Sequence, residues 1–229
     1  MHARNGAANI GSRRLRFWWK RNAWRMVTGG ARLIKRTIDI VGAAAALVLL
    51  SPVFAFVAAA IKLTDGGQVL YVQTRVGQWG REFPFPKFRS MVLNADQLKD
   101  RLLQQNQHGG GITFKMKRDP RVTWIGRVIR KLSLDELPQL WCVLKGDMSL
   151  VGPRPPVPRE VALYTLSDRR RLDVIPGLTC IWQVSGRADI PFPQQVALDV
   201  TYIESQSIWV DVQLLLKTIP AVLLGKGAY

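Results

Sequence analysis

Between Ile40 and Ile61 the chain carries 22 consecutive residues without a charge, and Ser51-Pro52 stands at their centre. About 20 apolar residues suffice for a helix to span a bilayer. Proline has no N–H and its ring clashes with the preceding turn, so the Val48 carbonyl loses its helical donor and a kink is expected at mid-depth. Ser51 stands where its hydroxyl can satisfy freed backbone groups. Both flanks are basic: Arg32, Lys35 and Arg36 precede the stretch, and Lys62, Arg75, Arg81, Lys87 and Arg89 follow it. Cytoplasmic segments carry the excess of Lys/Arg. One crossing would export one basic flank, whereas a helix that breaks and returns keeps both inside. On these features alone a kinked span and a re-entrant helix both remain open. A cleaved signal peptide does not fit, because the stretch starts late, is long, and is followed by Lys62. Asp39, at the entrance, reads as a solvated or headgroup-level residue and a partner for Arg36.

The net charge is +17 over 229 residues, and residues 1–36 hold ten Lys/Arg with no Asp/Glu. Such an excess selects an anionic partner: nucleic acid, acidic lipid or a phosphorylated substrate. The stretch Leu15–Val27 interleaves Phe17, Trp18, Trp19 and Trp24 with cations, a composition that suits the headgroup layer. The alternative is a basic arm that orders only on contact. Apolar residues make up 48%, which excludes a disordered tail and leaves a sizeable core to bury. Cys142 and Cys180 are too few for a disulfide framework or a multi-cysteine zinc module, and they point to a reducing compartment. His2 and His108 leave little room for histidine-based metal or triad chemistry.

Val69–Arg75 alternates and reads as a strand, Gly77–Gly80 as a turn, and Glu82–Met91 as a second extended run. Ala95–Gln107 reads as a polar helix, with a loop over residues 104–111. Arg121–Lys131 is short and basic, and the apolar spacing of Leu134–Lys145 is helical. Four prolines between Val151 and Pro158 preclude regular helix. Glu160–Asp173 and Pro193–Glu204 read as helices, and Pro176–Arg187 as strand with glycine turns. Ile208–Leu224, interrupted by Asp211, Lys217 and Pro220, reads as an amphipathic helix pair on a membrane surface. The expected fold is α+β and mostly helical, with no internal repeat.

Chemistry concentrates at Ser133-Leu-Asp135-Glu136-Leu-Pro138. Pro138 is tolerated only in a first helical turn, so a helix should begin near Asp135. Ser133 and Glu136 have capping-box spacing, and a role in capping competes with one in chemistry. A helix N-terminus would also favour ionised Asp135 and attract phosphate. An ionised Asp could attack phosphorus while Glu136 handled a proton. Such an attack needs cations, and Arg127, Arg130 and Lys131 lie just upstream. In Gly152-Pro-Arg154-Pro-Pro, proline on both sides holds Arg154 on a stiff backbone, as a bidentate phosphate ligand or as a solvated surface residue.

Lys87-Phe-Arg-Ser-Met91, Asp119-Pro-Arg121, Ser133-Leu-Asp-Glu-Leu-Pro-Gln139 and Lys145-Gly-Asp-Met-Ser-Leu-Val-Gly-Pro-Arg-Pro155 occur in that order. Pro176-Gly-Leu-Thr179, Trp182-Gln-Val-Ser-Gly-Arg187 and Leu198-Asp-Val-Thr-Tyr202 continue the series. Together they resemble the bacterial sugar transferase family, the small monotopic polyprenyl-phosphate phosphoglycosyl transferases, from about Leu33 to the C-terminus. The exopolysaccharide-initiating hexose enzymes are the most similar. The resemblance implies a re-entrant helix over residues 38–62, broken at Ser51-Pro52, within a transferase domain over 33–229 that follows a basic arm over 1–32. It implies transfer of a hexose 1-phosphate from UDP-galactose or UDP-glucose to undecaprenyl phosphate, with release of UMP, on the cytoplasmic face of the bacterial inner membrane and against anionic phospholipid. It implies Asp135 as the nucleophile, Glu136 as an aid to proton removal, Mg²⁺ beside Asp135, and Lys87, Arg130, Arg154 and Arg187 as anion-binding residues. Cys142 and Cys180 depart from the residues usual at their positions, Asn and Gly, and are expected to change only local packing. Oligomeric state is left open. A membrane-tethered nucleic-acid-binding protein and a non-catalytic scaffold are the competing readings; the chain carries no recognised nucleic-acid motif, so no nucleic-acid partner is expected, and the intact Asp135-Glu136 pair argues against a scaffold.

Overall fold

The computed structural model describes residues 29–95, 97–98 and 119–224. The expected polar helix over 95–107, the loop after it and residues 1–28 of the arm lie wholly or largely outside the described residues. Residues 29–38 belong to a first compact unit and are helical; residues from Asp39 onward form the second.

Helix α1 (Gly29–Leu49) and helix α2 (Ser51–Asp65) meet at a bend of 58°. Pro52 sits in the first turn of α2, where a missing N–H is no loss. The Ser51 hydroxyl donates to the Val48 carbonyl at 2.8 Å, satisfying the acceptor that Pro52 orphans. Helix α2 stops at Gly66, which turns left-handed at φ 68° and returns its N–H to Lys62. No single described helix is long and apolar enough to cross a membrane; the bent pair together meets that length and composition. Ala43, Val57 and Ile61 are buried, while Val41, Val48, Leu49, Phe56 and Leu63 on the same helices are exposed.

Asp39 departs from its expected surface position. It is buried, and its Oδ1 accepts from the Ser149 hydroxyl at 3.0 Å and the Leu150 N–H at 2.9 Å. These donors compensate for the lost water. They also tie α1 to strand β3 (Ser149–Val151).

Strands β1 (Leu70–Val76) and β2 (Glu82–Phe88) form an antiparallel hairpin in which Arg75 faces Phe83 and Tyr71 faces Lys87. Alternation puts Phe83, Phe85 and Lys87 on one face of β2, and the register adds Arg75 to that face. Phe83 and Phe85 join Leu140, Val143, Met148, Val151 and Tyr202 in the main core. A smaller core of Val57, Ile61, Phe88, Ile125 and Ile129 lies between α2 and helix α3 (Trp124–Lys131). Helix α3 is capped by Thr123, whose hydroxyl accepts from the Gly126 N–H at 3.0 Å.

Strand β3 pairs in parallel with β4 (Gly177–Thr179). Beyond it, Gly152 and Gly177 approach so closely that a Cβ on either would collide with the other's backbone. The Gly152 N–H reaches Thr179 at 3.0 Å and the Gly177 N–H reaches Pro153 at 2.9 Å, fixing the start of the proline-rich turn.

Glu160–Asp173 is not one helix. Helix α5 (Pro158–Val161) ends early, and a 3₁₀ turn (Asp168–Leu172) follows. Between them Asp168 accepts from the Thr165 N–H at 2.9 Å and its hydroxyl at 2.7 Å, local bonds that compete with helix. Pro176–Arg187 holds only the three residues of β4 as strand; helix α6 (Ile181–Ser185) takes over after Cys180. Helix α7 (Phe192–Ser205) falls where expected, and α8 (Ile208–Leu224) is one helix that runs through Pro220 rather than a pair. Cys142 and Cys180 are free thiols buried in the packing.

Candidate active site

A cavity of about 640 Å³ opens beside the hairpin, and Asp135, Glu136, Lys87, Arg130, Arg154 and Arg187 all line it. Leu50, at the helix break, lines it too. Alternation along β2 delivers Lys87, and the β3 turn delivers Arg154, held by a Val76 N–H bond to Pro156 at 2.9 Å. Arg75 also lines the cavity and was not among the residues picked out by motif. Its signal in the sequence was strand alternation, which becomes informative only once the hairpin register puts it on the Lys87 face.

The segment carrying the two carboxylates is a 3₁₀ turn (Leu134–Gln139) that feeds helix α4 (Leu140–Lys145). The expected capping box does not form. Ser133 adopts a left-handed conformation at φ 54°, and its side chain makes no cap bond. Asp135 therefore lacks the help of an α-helix start. Arg187, another cavity residue, is left-handed as well, at φ 52°. Non-glycine residues adopt this region at a cost, and such strain collects at working sites.

The adjacent carboxylates are shifted in opposite directions. Glu136 lies 3.2 Å from Lys87 Nζ and receives both terminal nitrogens of Arg154. Burial alone would raise its pKa, but Arg154 and Lys87 outweigh burial and hold it well below the ordinary glutamate value. Asp135 has no ion pair among the described residues. Burial, followed by the neighbouring charge of Glu136, pushes it up to about 6, against the pull of Lys87, Arg130 and Arg154. Burial works against the Arg154 charge, yet Glu136 raises its pKa above the ordinary value. Lys87 and Arg187 are both lowered by burial, with Glu136 opposing.

Six Lys/Arg and three Asp/Glu line the cavity, an excess that selects an anionic ligand. No cluster of three or more metal-ligating side chains exists among the described residues. One uncommitted carboxylate, Asp135, nevertheless fits a magnesium ion completed by substrate phosphates and water, a common way to hold that ion. Trp209, Leu216 and Ile219 on α8 and Trp141 on α4 are also exposed apolar residues. The Leu198–Tyr202 motif serves the scaffold instead: Asp199 pairs with Arg171, and Tyr202 donates to Asp211 at 2.7 Å.

A buried carboxylate with no ion pair among the described residues, in a cavity lined by cations, is an arrangement that can support nucleophilic chemistry on a phosphorylated ligand. The chain belongs to the bacterial sugar transferase family, whose model matches residues 30–225. It is 49% identical over 197 residues to the galactosyl transferase CpsE of Streptococcus agalactiae, covering 86% of this chain and 43% of that protein. It is 43% identical over 209 residues to the exopolysaccharide production protein ExoY of Rhizobium meliloti, covering 88% of this chain and 92% of that one. It is 45% identical over 203 residues to the undecaprenyl-phosphate galactose phosphotransferase of Salmonella typhimurium, covering 87% of this chain and 42% of that one.

Proposed function

We propose that this chain transfers a hexose 1-phosphate from UDP-galactose or UDP-glucose to undecaprenyl phosphate, releasing UMP, as the first membrane step of exopolysaccharide synthesis. The observation that carries the reading is Asp135, with no ion pair among the described residues, beside a Glu136 already neutralised by Lys87 and Arg154. The similarity to an undecaprenyl-phosphate galactose phosphotransferase and to an exopolysaccharide production protein supports the substrate class and the pathway.

In the first half-reaction a carboxylate oxygen of Asp135 attacks the phosphorus that bears the sugar. The bond to the bridging oxygen breaks, and UMP leaves with the electron pair. In the second, an oxygen of undecaprenyl phosphate attacks the same phosphorus and Asp135 is released as carboxylate. Arg130, Arg154, Lys87 and Arg187 bind and orient the phosphates. Mg²⁺, held by Asp135 and the diphosphate, would neutralise charge on the phosphate oxygens. Glu136 fixes Arg154 and Lys87; to accept a proton from the lipid phosphate it has to leave them. A phosphomonoester with a second pKa of about 6 is largely dianionic at neutral pH, so little proton removal is demanded.

Leu50 joins the helix break to the cavity, which fits a half-inserted hairpin that brings the site to the depth of a lipid phosphate. The exposed apolar residues of α1, α2 and α8 then meet lipid, on the cytoplasmic face of the inner membrane. Cysteines introduced at Arg32 and Lys62 should both resist labelling from outside. Purified protein with Mg²⁺ is expected to release UMP from a UDP-hexose when polyprenyl phosphate is present. No release from any UDP-sugar, with the protein folded and lipid-bound, contradicts the proposal.

A further inference from the structure

We propose that Arg75 is a phosphate-binding residue of the cavity, taking an oxygen of a phosphate group beside Arg154. The inference rests on the transferase reading for which molecule carries that phosphate. Lys87 and Arg154 are committed to Glu136, whereas Arg75 has no carboxylate partner among the described residues. Its Nη1 donates to the Pro155 carbonyl at 2.9 Å, and its guanidinium lies 5.1 Å from the centre of the Phe85 ring. Its Nε is buried without a hydrogen-bond partner. Phe85 thus lies between two cations, with Lys87 Nζ 5.3 Å from the same ring.

This arrangement is expensive for a mere brace. A neutral donor could hold the Pro155 carbonyl without burying a charge near a second guanidinium. Burial, with Arg154 beside it, brings Arg75 down to about 10, so it stays cationic at neutral pH. An unpaired buried charge is tolerated where an anion arrives to complete it. A planar guanidinium fixed by one nitrogen keeps its remaining donors in the fork geometry that phosphate accepts. Two phosphorylated ligands visit this cavity in the proposed cycle, the donor with its diphosphate and the acceptor with its monoester.

The test uses the full chain in lipid nanodiscs, titrated calorimetrically with UDP and, separately, with farnesyl phosphate. Arg75→Met keeps the packing on Phe85 and removes the charge; it should weaken at least one ligand by about tenfold or more. Arg75→Lys should recover part of that loss. The unfolding midpoint of ligand-free Arg75→Met should be unchanged or higher. Loss for UDP alone assigns Arg75 to the donor, loss for farnesyl phosphate alone to the acceptor, and loss for both to a shared seat. Both dissociation constants within about twofold of the parent overturn the proposal. So does a loss that comes only with a lower midpoint and that Arg75→Lys fails to recover, and so does a parent chain that binds neither ligand. Arg75-dependent UDP binding without UMP release contradicts the transferase reading and leaves this one standing. UMP release with ligand binding indifferent to Arg75 does the reverse.

Discussion

Two ionic clusters, one buried and one partly open, meet the cavity, and they are built to different rules. In one, Arg171 Nε lies 2.7 Å from Asp199, with both side chains at most 5% exposed. Its Nη1 donates to the Tyr164 hydroxyl at 3.0 Å, and the rings of Tyr164 and Phe192 lie 5.9 and 5.7 Å from the guanidinium. Burial opposes the Arg171 charge, but Asp199 raises it above its ordinary value. One cation meets one anion, so the charges balance, although Asp199 Oδ1 is buried without a hydrogen-bond partner. In the other cluster Glu136 takes two cations, while Asp135, Arg75 and Arg187 have no ion pair among the described residues. Balanced charge deep in a fold braces it; imbalance beside a cavity marks where a ligand completes the set.

If that contrast is right, the open cluster governs turnover and the closed one governs folding. Asp135→Asn should cut UMP release by about a thousandfold or more, while lipid binding and the unfolding midpoint stay close to the parent. Asp199→Asn should do the opposite. It leaves Arg171 buried and unpaired, costing about 3–5 kcal/mol in denaturant unfolding. Glu136→Gln lies between the two, at about 2–3 kcal/mol, because it strands Lys87 and Arg154 in a partly open site.

The sign with pH follows from direction. Glu136 is held below its ordinary value near 4.5, so its contribution is full above that value and fades as pH falls below it. The stability gap between parent and Glu136→Gln should narrow in acid. Asp135 must be ionised to attack, so the acid limb of the first half-reaction should lie at or below its metal-free value of about 6, because Mg²⁺ beside it would lower that value. It should move lower in Glu136→Gln, which removes a neighbouring negative charge. The smallest effect belongs to neither cluster: Ser51→Ala should cost about 1 kcal/mol by orphaning the Val48 carbonyl.

What could be read from the chain followed the range of the interaction. The break at Ser51-Pro52 needs only a residue without an N–H and a hydroxyl next to it, and both act within one turn. The proline-stiffened backbone around Arg154 is equally local, while its placement depends on long-range bonds to Val76 and Thr179. The cavity cations Lys87, Arg130 and Arg187 came through motif resemblance, and the structure brings them together. Hidden from the sequence were contacts that need tertiary folding. Glu136 meets Lys87 across 49 positions, and Asp39 meets Ser149 across 110. The capping-box spacing at Ser133 was present, but Ser133 turns left-handed there and makes no cap bond. Over Glu160–Asp173 the helical pattern lost to the Thr165–Asp168 bonds, which supply the backbone with a local alternative.

The most direct test of the account is peptide mapping by mass spectrometry after incubation with a turned-over UDP-hexose, Mg²⁺ and no lipid acceptor. A hexose phosphate on Asp135, still found in Glu136→Gln, absent in Asp135→Asn and discharged by undecaprenyl phosphate, is the predicted result. UMP release with no adduct, or with the adduct on another side chain, would contradict it.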